Sequence, residues 1–172
     1  MGEAFEDIVN VPLDRIGVVI GKKGETKKLI EEKTAVELKI NSKTGEVKIY
    51  RKNGEKSVLA RQVIEAIAVG FSPEKALKLL DNNIYIDKID IRRFSRNQKD
   101  LERIKSRLIG RKGKAKRFIS EESKTDIVIY DAYVAIIGRP ENIYLARQAI
   151  LKLIHGAPHS AVFHFIEKRS EE

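Results

Sequence analysis

Ile20-Gly21-Lys22-Lys23-Gly24 returns 89 positions later as Ile109-Gly110-Arg111-Lys112-Gly113, and this pair decides how the 172-residue chain is read. The same offset carries Lys27-Lys28 onto Lys116-Arg117, Ile30 onto Ile119, Glu32 onto Glu121, and Leu38 and Ile40 onto Ile127 and Ile129. Further along the offset falls to 86, where Leu59-Ala60-Arg61-Gln62 reappears letter for letter as Leu145-Ala146-Arg147-Gln148 and Gly70 falls on Gly156. Shortened surface turns produce such a drift, so the chain reads as two copies of one module, expected at 1–81 and 82–172.

Working outward from the first turn, Ile8, Val9 and Val11 form a short strand that Pro12 ends. Leu13, Ile16 and Ile20 recur at helical spacing up to Gly21, and a second helix after the turn buries Leu29 and Ile30. Val36, Leu38 and Ile40 alternate with polar residues as a half-buried strand does, and Val47 and Ile49 return from a turn within 41–46. Val58, Ala60, Val63, Ile64 and Ile67 give a third helix closed by Gly70. The order is strand–helix–helix–strand–strand–helix. Ser72 as N-cap and Pro73 at the first helical position open an extra short helix before Asp81-Asn82-Asn83 breaks the chain. In the second copy Ile84, Ile86, Ile89 and Ile91 form the first strand, and Leu101, Ile104 and Leu108 line a longer first helix. A hairpin over 125–137 turns at Asp131-Ala132, a last helix covers 141–155, and a short closing helix is expected within 157–168. The fold class is α+β, two three-stranded sheets each packed on helices.

Glycine–two residues–glycine between helices has a physical use. The following helix presents unpaired N–H groups and the positive end of its dipole, and glycines let a phosphodiester backbone approach that end. Lys22, Lys23, Arg111 and Lys112 add attraction at the middle positions. Bases can then lie between this helical side and the second strand, with Ile20 and Ile109 as apolar floor. Lys27, Lys28, Lys116 and Arg117 follow each turn on its second helix. Arg103, Arg107, Lys114 and Arg117 are expected to extend a phosphate track around the second turn.

Charge supports a polyanionic partner. Lys plus Arg is 34 against 25 Asp plus Glu, a net of +9. Residues 1–91 hold 16 basic and 15 acidic side chains, whereas 92–172 hold 18 and 10. Within 92–117 twelve basic residues face only Asp100 and Glu102, so this stretch carries +10. A solvated helix face normally mixes its signs, which favours a nucleic-acid surface here.

Other classes are poorly supported. No apolar run reaches the roughly 18 residues of a bilayer span, and the acidic start (Met1 to Asp7) is unlike a secretory leader, so a cytoplasmic protein without membrane partner is expected. There is no cysteine, which removes thiolate zinc sites, iron–sulfur clusters and thiol nucleophiles. Gly17 and Gly21 are spaced wrongly for a Walker A loop, and no Gly-x-Ser-x-Gly occurs. His155, His159 and His164 lack a completing carboxylate and share no helix face, so neither metal nor other cofactor is expected. No catalytic residue can be named, and the chain reads as a non-enzyme.

Val11-Pro12, Gly17, Ile20-Gly21-Lys22-Lys23-Gly24 and Ile30-Glu31-Glu32-Lys33-Thr34 resemble a type I KH domain over residues 7–70. The second copy lacks the Val-Pro and has Ser106 in place of Gly17, which should loosen its helix packing. The whole chain is similar to the archaeal members of the partner-of-Nob-one family, tandem-KH factors of small-subunit ribosome assembly. The residues that carry this likeness are the Ile109–Gly113 turn, Thr125-Asp126-Ile127-Val128-Ile129, Ile136-Ile137-Gly138, Glu141-Asn142-Ile143, and Ala146 through Ile150 with His155-Gly156-Ala157-Pro158. The resemblance implies single-stranded RNA binding near the 3′ end of small-subunit ribosomal RNA. It also implies association with a Nob-type endonuclease, with the translation-initiation machinery as a further partner to consider. Eukaryotic members have a degenerate first turn; this chain keeps Gly21–Gly24. The residues themselves leave open a KH-fold protein adaptor, favoured by the near-neutral first half, and a binder of single-stranded DNA.

Overall fold

The computed structural model describes residues 4–52 and 55–172. Residues 1–3, part of the stretch weighed against a leader sequence, lie outside the described residues. The chain divides into two compact units, Met1–Asn82 and Asn83–Glu172.

In unit one β1 (Ala4–Asn10) leads through Pro12 into α1 (Leu13–Ile20), and the glycine turn leads into α2 (Glu25–Thr34). A hairpin of β2 (Val36–Asn41) and β3 (Glu46–Arg51) follows, then α3 (Ala60–Ala68) and α4 (Pro73–Ala76). The sheet order is β1-β3-β2, all antiparallel, with Val9 opposite Val47 and Leu38 opposite Ile49. These four side chains are buried, and the core is completed by Ile16, Val19, Ile30, Val63, Ile64 and Ile67 from the helices. Ser72 caps α4 as expected, its Oγ accepting the Lys75 N–H at 3.3 Å.

Unit two repeats the plan with β4 (Tyr85–Asp90), α5 (Gln98–Ile109), α6 (Lys114–Ser123), β5 (Asp126–Tyr130), β6 (Tyr133–Gly138) and α7 (Pro140–Ile154). Its sheet order, β4-β6-β5, is that of unit one, and Ile127 faces Ile136 as Leu38 faces Ile49. α5 has 12 residues where α1 has 8, in keeping with the longer periodic run. α8 (His159–Ser170) closes the unit and buries Val162 and Ile166 in the same core as Leu101, Ile104 and Ile150. The repeat extends to small devices. Thr34 and Ser123, 89 apart, each donate a hydroxyl proton to the carbonyl four residues back at 2.6 Å, and both helices end on a left-handed residue, Ala35 or Lys124.

Three apolar residues of the expected helices are exposed. Leu13, at the first position of α1, is 59% exposed, whereas Ile16 and Val19 further along the helix are buried. Leu29 lies about 100° from Ile30 around α2, and only Ile30 reaches the core. Val58 belongs to the 3₁₀ turn before α3, outside its buried stripe. Ser106 is exposed on α5. A Cβ at its counterpart Gly17 would meet nothing within 4 Å, so a serine fits without displacing a neighbour.

Candidate nucleic-acid interface

The two glycine turns have the same backbone. Gly21 and Gly110 both sit at φ 76°, with ψ 173° and 175°. Lys23 and Lys112 are left-handed at φ 53° and 56°, and Gly24 and Gly113 cap the next helix at φ 76°. Each turn is pinned by the same pair of bonds, Gly21 N–H to Gly17 C=O at 2.9 Å and Gly24 N–H to Gly21 C=O at 3.2 Å, matched by Gly110 to Ser106 and Gly113 to Gly110.

The two glycines of a turn serve different ends. A Cβ on Gly110 would come within 2.7 Å of the Ala115 amide and Cβ, and one on Gly21 within 2.7 Å of the Thr26 amide. These first glycines permit close packing of the turn on the next helix. At Gly24 and Gly113 a Cβ would meet nothing within 4 Å. The open space there lies at the N-terminus of α2 or α6, where no side chain caps the helix. The positive dipole end of a helix without a side-chain cap can therefore receive an anion.

Around this opening Lys22, Lys23, Arg111, Lys112 and Lys114 are exposed. The Arg117 guanidinium folds back to donate to the Lys112 carbonyl at 3.3 Å, which brings it beside the turn. Ile109, 38% exposed, and the half-buried Ile20 supply apolar surface just before each turn. Lys116 is half-buried, Lys28 is exposed, and Lys27 reaches to 4.0 Å from Glu31.

Two residues expected in the phosphate track are engaged elsewhere. Arg103 pairs with Asp100 at 2.8 Å, and that guanidinium, with the Arg96 amide, holds the Asp100 carboxyl below the usual aspartate range. Arg103 remains exposed, but its charge is locally balanced. Arg107 points inward: its guanidinium donates to the Ala157 carbonyl at 2.6 Å and the Leu153 carbonyl at 3.4 Å, at the end of α7. Helix ends leave carbonyls without intrahelical donors, and a cation there also complements the dipole. Both bonds turn the Arg107 guanidinium toward the unit's own backbone.

Unit one makes the same clamp from a different position. Arg15 donates to the Ile67 carbonyl at 2.9 Å and the Phe71 carbonyl at 2.8 Å, which are the 86-offset counterparts of Leu153 and Ala157. Yet Arg15 precedes its turn by six residues and Arg107 by three, so the 89-residue offset of the turns does not pair them. Of the histidines, His159 Nε2 bonds the Arg107 carbonyl at 2.8 Å, His155 meets the Phe94 ring edge-on, and His164 is exposed.

With this geometry in place, comparison with known proteins is specific. Residues 85–171 match the family model of the eukaryotic-type KH domain (KH-domain type I), and residues 6–66 match that of the KH domain. The chain is 36% identical over 170 residues to the KH domain-containing protein MJ0443 of Methanocaldococcus jannaschii, covering 96% of this chain and 74% of that protein. It is 41% identical to Dim2p from Pyrococcus horikoshii, whose crystal structure superposes with a TM-score of 0.88 over 95% of this chain and 98% of that one. The chain belongs to the partner-of-Nob-one (Pno1/Dim2) family. Among other Pno1/Dim2 relatives, the pre-rRNA-processing protein pno1 of Schizosaccharomyces pombe is 32% identical over 77% of this chain, which spans 57% of that protein's length. A second solved Pno1/Dim2 structure is the a/eIF2alpha–aDim2p–rRNA complex from Pyrococcus horikoshii, 40% identical with a TM-score of 0.89, covering 96% of this chain and 93% of that one.

Proposed function

We propose that the protein binds single-stranded RNA in small-subunit ribosome assembly, on the 3′ region of the small-subunit ribosomal RNA, and assists its maturation by binding rather than by catalysis. The observation that carries this reading is the pair of superimposable glycine turns, each opening on an uncapped helix N-terminus, the second inside the most basic stretch of the chain. Relatives named for pre-rRNA processing, and one solved in complex with rRNA, support the same class of ligand. We place the two modules at 1–81 and 82–172, each clamping about four nucleotides.

A Nob-type endonuclease is the partner whose action this RNA-bound protein would guide, and the initiation machinery is a second. The latter rests on the relative solved with a/eIF2alpha. No described helix is long and apolar enough to cross a membrane, and we place the protein in the cytoplasm. Fluorescence anisotropy with single-stranded and duplex RNA of equal length tests the groove mechanism. Single strands should bind more tightly, because a duplex cannot splay its bases into a groove; equal or stronger duplex binding refutes it.

A further inference from the structure

We propose that Glu31 reaches across the first groove from within and so makes it the weaker of the two RNA sites. The proposal rests on the RNA-groove reading above and goes beyond it in naming one residue that sets the division of labour.

β2 is an edge strand, so alternate amides along it face away from β3. The Leu38 amide is one of these, and it donates to Glu31 Oε2 at 2.9 Å. Glu31 stands on α2, the helix that begins at the glycine turn, so its carboxylate bridges the two walls between which a single strand would lie. The Leu38 side chain meanwhile points into the core, 1% exposed. The other oxygen, Oε1, lies 4.0 Å from Lys27 Nζ.

Three consequences follow from this placement. The edge donor that a base could use is already satisfied. A negative charge stands where a polyanion must pass. One of the turn-proximal lysines is drawn toward a carboxylate instead of a phosphate.

Unit two lacks the device. The counterpart of Glu31, 89 positions on, is Ser120, and those of Leu38 and Lys27 are Ile127 and Lys116. Ser120 is too short to bridge and donates its hydroxyl proton to the Thr125 carbonyl. Among the described residues no side chain takes the Ile127 amide, and Lys116 has no ion pair. The backbone of the two turns is the same, so this difference beside them is a side-chain difference.

The test uses the full chain in which Arg111→Asp and Lys112→Asp disable the second turn, leaving the first groove to be read by anisotropy with a single-stranded RNA at fixed salt. Adding Glu31→Ser should tighten binding by about three- to tenfold, the effect of freeing one hydrogen-bond donor and removing one unfavourable charge. Glu31→Gln, which keeps an acceptor for the Leu38 amide and drops only the charge, should gain less. In the otherwise unaltered chain, Ser120→Glu should weaken binding by a similar factor, and Ser120→Ala, which loses only the bond to Thr125, should not. The Leu38 amide should exchange with solvent faster in Glu31→Ser and should shift on RNA addition only in that variant. Binding by the Glu31→Ser variant that equals or falls below its background overturns the proposal, a fall identifying the carboxylate itself as an RNA contact. If Arg111→Asp with Lys112→Asp leaves the parent's binding untouched, the RNA-groove reading fails first, so the two failures are distinguishable.

Discussion

Replacing Arg107 by Ala should leave the salt dependence of RNA binding unchanged and lower the stability of unit two. The guanidinium donates to Ala157 at 2.6 Å, a short charge-assisted bond, whereas its bond to Leu153 at 3.4 Å is near the geometric limit. One hydrogen bond to a charged group contributes roughly 1.5–3 kcal/mol, and the end of α7 loses its cation as well, so a cost of about 2 kcal/mol is expected. For a domain of this size that corresponds to a fall of roughly 10 °C in Tm. The contrasting variant replaces Arg111, Lys112 and Lys114 together by Ala. Each is exposed beside the open turn, and each phosphate contact on a single strand contributes about 0.7 to the log–log salt slope, so the slope should become shallower by about 2. Anisotropy titrations from roughly 50 to 200 mM salt give the slopes, and circular dichroism melts give the midpoints. A slope shallower by about 0.7 in Arg107→Ala, with an unchanged melt, would show that Arg107 holds phosphate and that the α7 clamp is not its role.

Three further outcomes are expected. Gly110→Ala should unfold or strongly destabilise unit two, since its Cβ meets the Ala115 amide at 2.7 Å, while Gly113→Ala should cost only the roughly 1–2 kcal/mol of a left-handed alanine and still abolish RNA binding at that turn; equal losses of stability would refute the division of roles between the glycines. Arg111→Asp with Lys112→Asp should weaken RNA binding far more than Lys22→Asp with Lys23→Asp, and the reverse ranking in a titration would discard the charge-asymmetry argument. The Asp90 carboxyl is held below its ordinary value by the Arg92 guanidinium, so its contribution is present above the unfolded aspartate value near pH 3.9 and is lost as pH falls through the folded one. Asp90→Asn should therefore lose less stability than the parent between pH 7 and pH 3 in urea melts, by a small margin because the pair is solvent-screened, and identical losses would refute the linkage.

The order of elements was legible because each rests on a signal that acts locally. Pro12 stops β1, Ser72 with Pro73 starts α4, and the alternation of Val36 and Leu38 marks β2. Burial was less legible. Leu13, Leu29 and Val58 are apolar and close to the right spacing, but which face of a short helix turns inward is set by what packs on it. A one-residue offset is about 100° around the axis. The glycine turns were readable at single-residue level because only glycine combines a positive φ with the 2.7 Å approach found at Gly21 and Gly110.

The use of each side chain around the turns was not readable, and the reason is physical. An arginine in a basic stretch looks the same whether it faces phosphate or a helix end, and what separates Lys114 from Arg107 is the path of α7, some 50 residues further on. The α7 clamp was hidden because Arg15 and Arg107 reach equivalent carbonyls from registers three residues apart, so comparing the copies cannot reveal it. Glu31 was hidden in the opposite way. It lies inside the stretch that carries the KH resemblance, where a carboxylate four residues after Lys27 reads as an ordinary surface pair on a helix. Only its bond to the Leu38 amide separates it from that reading, and that bond depends on β2 being an edge strand with its amide turned toward α2. Two modules whose glycine turns share one backbone can therefore differ in RNA affinity through one acidic side chain, and a net-charge count, which weighs Glu31 equally with every other carboxylate, cannot locate that difference.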